Sequence, residues 1–190
     1  MKFRVLVAAL MLVALGAMAA QAADVKSEFG LNAGVSLPTG DFSDGASTGF
    51  FGGGTYTYHV NEMFGVGGDV NYHKFGKKDV TVLATTVSSE ASVVQYGVHG
   101  KYFVKLKTNE MPYLKVGLGM YSLSVKGTVN GNSNTASDTK FGFNVGAGAD
   151  WKLNDKTTWG VEALYHNIQG DNGSSANLIT VGLRYGWLMN

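Results

Sequence analysis

The chain has 190 residues, with 15 basic and 14 acidic side chains, a formal net charge of +1 and no cysteine. Such balanced charge leaves no electrostatic footprint for nucleic acid. The missing thiols exclude disulfides, a lipoprotein anchor and thiolate metal sites, and the length suits one domain.

At the N-terminus, Lys2 and Arg4 precede an uncharged run from Val5 to about Leu15, followed by small residues through Ala23. This is the three-part pattern of a secretory signal peptide, and Ala20-Gln21-Ala22 fits the small-x-small cleavage rule. Residues 1–22 are therefore expected to be cleaved, leaving 23–190 as the mature domain. The apolar run is short for the roughly 20 residues a membrane-crossing helix needs, and no second run of that length follows.

Eight segments then alternate with a period of two, the mark of a strand. The first, 28–37, sets Phe29, Leu31, Ala33, Val35 and Leu37 against Gly30, Asn32, Gly34 and Ser36. The second, 50–60, alternates through Tyr56, Tyr58 and Val60, and the third, 63–73, opposes Phe64, Val66, Val70 and Tyr72 to Gly65, Gly67, Asp69, Asn71 and His73. Residues 74–90 read less regularly, with Val80 and Val82 able to extend a hairpin beyond the membrane. The fourth, 92–103, sets Val94, Tyr96, Val98 and Tyr102 against Gln95, Gly97, His99 and Lys101. The fifth, 113–122, puts Leu114, Val116, Leu118 and Met120 on one side. Lys126–Thr139, rich in Gly, Asn, Ser and Thr, reads as a long mobile loop. The sixth, 141–153, opposes Phe141, Phe143, Val145 and Trp151 to Gly142, Asn144, Gly146 and Asp150. The seventh, 158–166, sets Trp159, Val161 and Tyr165 against Gly160, Glu162 and His166. The last, 178–187, sets Ile179, Val181, Leu183, Tyr185 and Trp187 against Thr180, Gly182, Arg184 and Gly186.

Segments of about 9–11 residues cross a bilayer when tilted about 45°. Connections alternate between short and long, as the periplasmic turns and extracellular loops of an outer-membrane barrel do. Glycine, 27 of 190 residues, is about twice its usual share of roughly 7%. Its alternating positions leave room inside a small barrel. Trp151, Trp159 and Trp187 all map to the periplasmic rim with Phe64 and Tyr102, where an aromatic girdle belongs. Alternation alone does not say which face meets lipid; export, the girdle and the terminal motif place the apolar set outward.

That terminal motif, Thr180-x-Gly182-x-x-Tyr185-x-Trp187, resembles the C-terminal assembly signal of bacterial outer-membrane β-barrels, with Leu188, Met189 and Asn190 following the usual last aromatic. Across residues 23–190 the chain resembles the small eight-stranded outer-membrane barrels typified by the OmpA membrane domain and the OmpX/Ail-like proteins. The resemblance implies an all-β, eight-stranded antiparallel up-and-down transmembrane β-barrel in the bacterial outer membrane. It also implies a monomer without cofactor, surrounded by outer-membrane lipid and lipopolysaccharide and handled by the barrel-assembly machinery and periplasmic chaperones. Its expected role is non-enzymatic, in envelope integrity or adhesion through surface loops.

Inside, Asp69, Asp150 and Glu162 face Lys101, Lys115 and Arg184. Charges enclosed in a narrow barrel are costly unless paired, so a network that largely closes the lumen is expected. Exchange of those pairs would give the alternative, a narrow channel for small solutes resembling OmpW. A lipid-modifying enzyme is the second alternative, although no Gly-x-Ser-x-Gly elbow occurs. His73 and His166 both fall near the outer rim on nonadjacent segments, so no metal site is expected.

Overall fold

Period-two alternation carries each segment across the barrel wall, and most strands run on beyond the sequence-read ends. The computed structural model describes residues 27–82, 85–106, 109–129, 132–170 and 174–189, with side chains of 79–87 outside that description. The expected signal peptide, with Ala20 and Ala22, lies outside the described residues. The elements are β1 (Ser27–Thr39), α1 (Phe42–Gly45), β2 (Ser47–His59), β3 (Phe64–Gly76), β4 (Lys78–Val82), β5 (Thr85–Phe103), β6 (Glu110–Val129), β7 (Asn132–Asn154), β8 (Thr157–Gln169) and β9 (Ser175–Met189).

Apart from β3 and β4, which both pair with β5, consecutive strands pair antiparallel, and β9 returns to β1. β3 and β4 are thus two pieces of one wall, interrupted at Lys77, and the sheet closes as an eight-walled up-and-down barrel. Closure leaves no unpaired edge within the wall.

The barrel is inverted relative to a soluble one. Leu31, Val70, Val116 and Leu183 are exposed by 49–64%, and Val145 and Val181 by 44–45%, whereas Asp69 and Arg184 retain 4% and 3%. Apolar side chains on the outside of a closed sheet satisfy both the backbone and the surroundings only in hydrocarbon. No helix among the described residues is long and apolar enough to cross a membrane; the crossing belongs to the strands.

One end carries short turns and both ends of the described chain. Asn61 Oδ1 accepts from the backbone N–H groups of Met63 (2.8 Å) and Phe64 (2.9 Å), and Asn154 Oδ1 accepts from Lys156 N–H (2.8 Å). An Asn side chain that mimics a backbone acceptor closes such turns. The other end carries long hairpins. There the expectation of a mobile loop over Lys126–Thr139 is corrected: β6 and β7 stay paired to Val129↔Asn132. Hydroxyls form the rungs, with Ser122–Thr139 at 2.8 Å, Ser124–Ser137 at 3.1 Å and Thr128–Ser133 at 3.1 Å. Cross-strand Ser/Thr pairs stabilise a ladder in water without any apolar face, which is why composition alone suggested a loop.

Candidate functional site in the lumen

Inward side chains fall into three layers. Nearest the short turns lies a charged layer with two clusters. In the first, Lys115 Nζ donates to Asp69 Oδ1 (3.0 Å) and Glu162 Oε1 (3.3 Å). His99 Nδ1 lies 2.8 Å from Asp69 Oδ2, its Nε2 lies 3.1 Å from Thr57 Oγ1, and the Tyr113 hydroxyl donates to Glu162 Oε2 at 2.9 Å. In the second, Arg184 Nη1 donates to Asp150 Oδ2 (2.6 Å) and Nη2 to Glu28 Oε2 (2.8 Å). Thr158 Oγ1 donates to Glu28 Oε1 at 2.6 Å.

The expected six charges are thus all in the lumen, and five of them are ion-paired. Lys101, 1% exposed, makes no ion pair among the described residues; its Nζ sits 4.3 Å from the centre of the Tyr113 ring, a cation–π arrangement. Glu28 was missed, although it shares the parity of Asn32 and Ser36 and the signal was there to read. The partners of His99 and Tyr113 depend on the register between strands, which no single-strand pattern carries. Room for the guanidinium comes from Gly30, where a Cβ would stand 2.8 Å from Thr55 Oγ1 and 3.2 Å from Arg184 Nη2.

A neutral polar layer follows. Ser36 Oγ lies 2.9 Å from His73 Nδ1, and His166 lies 3.0 Å from both the Tyr121 hydroxyl and Thr180 Oγ1. Asn71 Nδ2 donates to Gln95 Oε1 at 3.2 Å. The rings of His73 and His166 meet edge-on at 5.9 Å across the barrel, closer than their nonadjacent strands suggested. Among the described residues no group of three His, Cys, Asp or Glu could hold a metal ion. Beyond this layer, toward the long hairpins, Ala46, Phe75, Ala91, Val93, Tyr121, Ile168 and Leu178 form a buried apolar cluster.

A family model described as the outer membrane protein beta-barrel domain matches residues 7–186. The chain belongs to the outer membrane protein beta-barrel domain family. No curated relative matches it. Among solved structures, Ail, the attachment invasion locus protein of Yersinia pestis, is 15% identical, with 88% of this chain and 100% of that one covered at a TM-score of 0.59. A major outer membrane protein from Thermus thermophilus is 12% identical, with the same coverage and a TM-score of 0.63. Neisserial surface protein A is 15% identical over 85% of this chain and 96% of that one, at a TM-score of 0.53. At such low identities these structural similarities show a shared fold alone.

As an outer membrane beta-barrel, the chain resides in the bacterial outer membrane. On its outer face, Trp151 stacks on Trp159 at 4.7 Å and Phe64 meets Tyr102 at 5.1 Å, near the short-turn end. Trp187 contacts Tyr185 (4.8 Å) and Phe29 (6.0 Å). Of the four terminal-motif residues, Thr180 and Gly182 face inward and Tyr185 and Trp187 outward. Leu188 and Met189 continue the strand, paired with Glu28 and Ser27.

Proposed function

We propose that this outer-membrane barrel is non-enzymatic, with a largely plugged polar lumen and long hairpins that serve envelope integrity or adhesion. The charged layer carries this reading. Its side chains come from every wall: Glu28, Thr57, Asp69, Lys101, Lys115, Asp150, Glu162 and Arg184 lie on β1, β2, β3, β5, β6, β7, β8 and β9 respectively. An eight-stranded barrel is only wide enough for its own side chains to fill it. With the short turns periplasmic, the hairpins of β4–β5 and β6–β7 stand outside the cell. The name of the structural relative Ail, and its structure with the heparin analogue sucrose octasulfate, belong to that protein; they motivate surface attachment as the role to test here.

Purified protein in planar bilayers is expected to give no steady discrete openings. Such openings would replace the plug with the second reading, a narrow channel for small solutes. The apolar lining of the long-hairpin half speaks for that alternative, whereas the burial of its side chains against one another speaks for the plug.

We further read Thr180, Gly182, Tyr185 and Trp187 as the signal for the barrel-assembly machinery, and Phe64, Tyr102, Trp151, Trp159 and Trp187 as an interfacial girdle. Trp187→Ala removes the ring that meets Tyr185 and Phe29. It should slow machinery-assisted insertion into membranes by roughly threefold to tenfold, since an aromatic pair contributes about 0.5–1.5 kcal/mol beyond its area. Insertion at the unmodified rate in a time course of heat-modifiable gel migration would show the motif to be misassigned.

A further inference from the structure

Several departures from the regular ladder coincide at the long-hairpin mouth. The β1–β2 connection folds inward as α1, β2 shifts register between Ser47 and Gly49, and the third wall is interrupted at Lys77. Bulges and breaks of this kind re-aim side chains, and local irregularities cluster where a protein has a function beyond its fold. What is aimed here is Phe42. Its ring meets Phe75 edge-on at 5.1 Å and packs on the apolar cluster, with Ala46 buried beside it at 3% exposure.

Among the described residues, one side-chain hydrogen bond ties α1 to the wall. Lys78 Nζ donates to the backbone carbonyl of Ser43, whereas the bond from Ser47 Oγ to the carbonyl of Lys77 at 3.3 Å joins β2 to the break in the third wall. The remaining side-chain bond, Ser43 Oγ to Gly40 O at 2.7 Å, is local to the turn. Beneath Phe42, the His73 ring lies nearly parallel to Phe75, at 6.5 Å and 10°. The buried Nε2 of His73 has the Gln95 side-chain amide beside it. Apolar walls and a tethered aromatic ring at the top are the makings of a small ligand site. An exposed apolar cup would be a liability if left bare, and Phe42 covers it.

The geometry points to a stoppered binding site: with α1 lifted, the cup of Phe75, Ala91, Val93, Ile168 and Leu178 above His73 takes one compact aromatic ring. Phe42 is its tethered competitor. A ligand enters only in the fraction of molecules with α1 raised, so removing the stopper raises apparent affinity. The site is separate from the charged layer and stands whether or not the barrel conducts.

The absence of cysteine from the whole sequence gives a clean test. Ala91→Cys places one thiol in the cup, and Thr48→Cys places a control on an exposed position of the mouth. Each is introduced into the full chain, folded in lipid nanodiscs, and modified with methyl methanethiosulfonate with and without millimolar indole. Modification of the cup thiol should be slow, should accelerate at least tenfold with Phe42→Ala, and should then slow at least threefold with indole, while the control thiol responds to neither. An unchanged rate for the cup thiol in folded Phe42→Ala protein overturns the stopper. Acceleration without indole protection overturns the site. Lys78→Met, which leaves every cup side chain in place, supplies the same two readouts should Phe42→Ala fail to fold.

Discussion

Replacing Arg184 by methionine is expected to destabilise the barrel by about 3–5 kcal/mol, the usual cost of removing one partner from a buried charge cluster. The loss leaves the carboxylates of Glu28 and Asp150, now 2.8 Å and 2.6 Å from the guanidinium, enclosed without their cation. Volume is nearly preserved, so the effect isolates charge from packing. Adding Glu28→Gln and Asp150→Asn to Arg184→Met should recover most of the stability, because the uncompensated anions are then gone. Lys101, without an ion pair among the described residues, is the nearest reserve. If it turns toward the freed carboxylates, Arg184→Met combined with Lys101→Met will cost more than the two single changes added together. Urea midpoints followed by heat-modifiable migration measure all four proteins. A full-strength Arg184→Met barrel would mean the charged layer does not hold the wall together.

The second large effect lies at Gly182, opposite Gly34 between β9 and β1. A Cβ on Gly182 would stand 2.6 Å from Phe51 Cζ and 2.7 Å from the Ala33 carbonyl oxygen, while one on Gly34 would meet the Val181 carbonyl and Gly182 Cα. Backbone on the neighbouring strand cannot withdraw as a flexible side chain can. Gly182→Val should therefore cost about 1–3 kcal/mol or somewhat more, as overpacking does. Spontaneous refolding into detergent, with no assembly machinery present, should show the defect in full. Normal refolding there, with failure confined to cells, would assign Gly182 to recognition alone.

Parity made much of this molecule legible. Every second residue of 141–153 or 178–187 already separated lipid face from lumen, and the eight walls close as that alternation implied. Three features stayed out of reach for different physical reasons. Glu28 obeys the same parity but sits at the first turn of the pattern, where alternation has barely begun. The pairing of His99 with Asp69 depends on the register between the neighbouring strands β3 and β5, and that of Tyr113 with Glu162 on the stagger of β6 against β8, two walls apart. The 126–139 segment alternates among polar residues on both faces, so hydrophobic periodicity, the signal that finds strands, is absent although the strand is there. The inward fold of α1 belongs to the same class: Gly40, Asp41, Ser43, Asp44 and Gly45 announce a turn, and nothing in them announces where Phe42 will be tucked.

The hydroxyl rungs of the β6–β7 hairpin have an evolutionary consequence. From Ser122 to Val129 the pair rises roughly 23 Å at about 3.3 Å per residue, held upright by bonds that serine and threonine make equally well. On the proposed reading, in which this hairpin stands outside the cell, side chains between the rungs are free to vary under pressure from whatever meets the cell. Such an arm can change what it displays without changing how it stands.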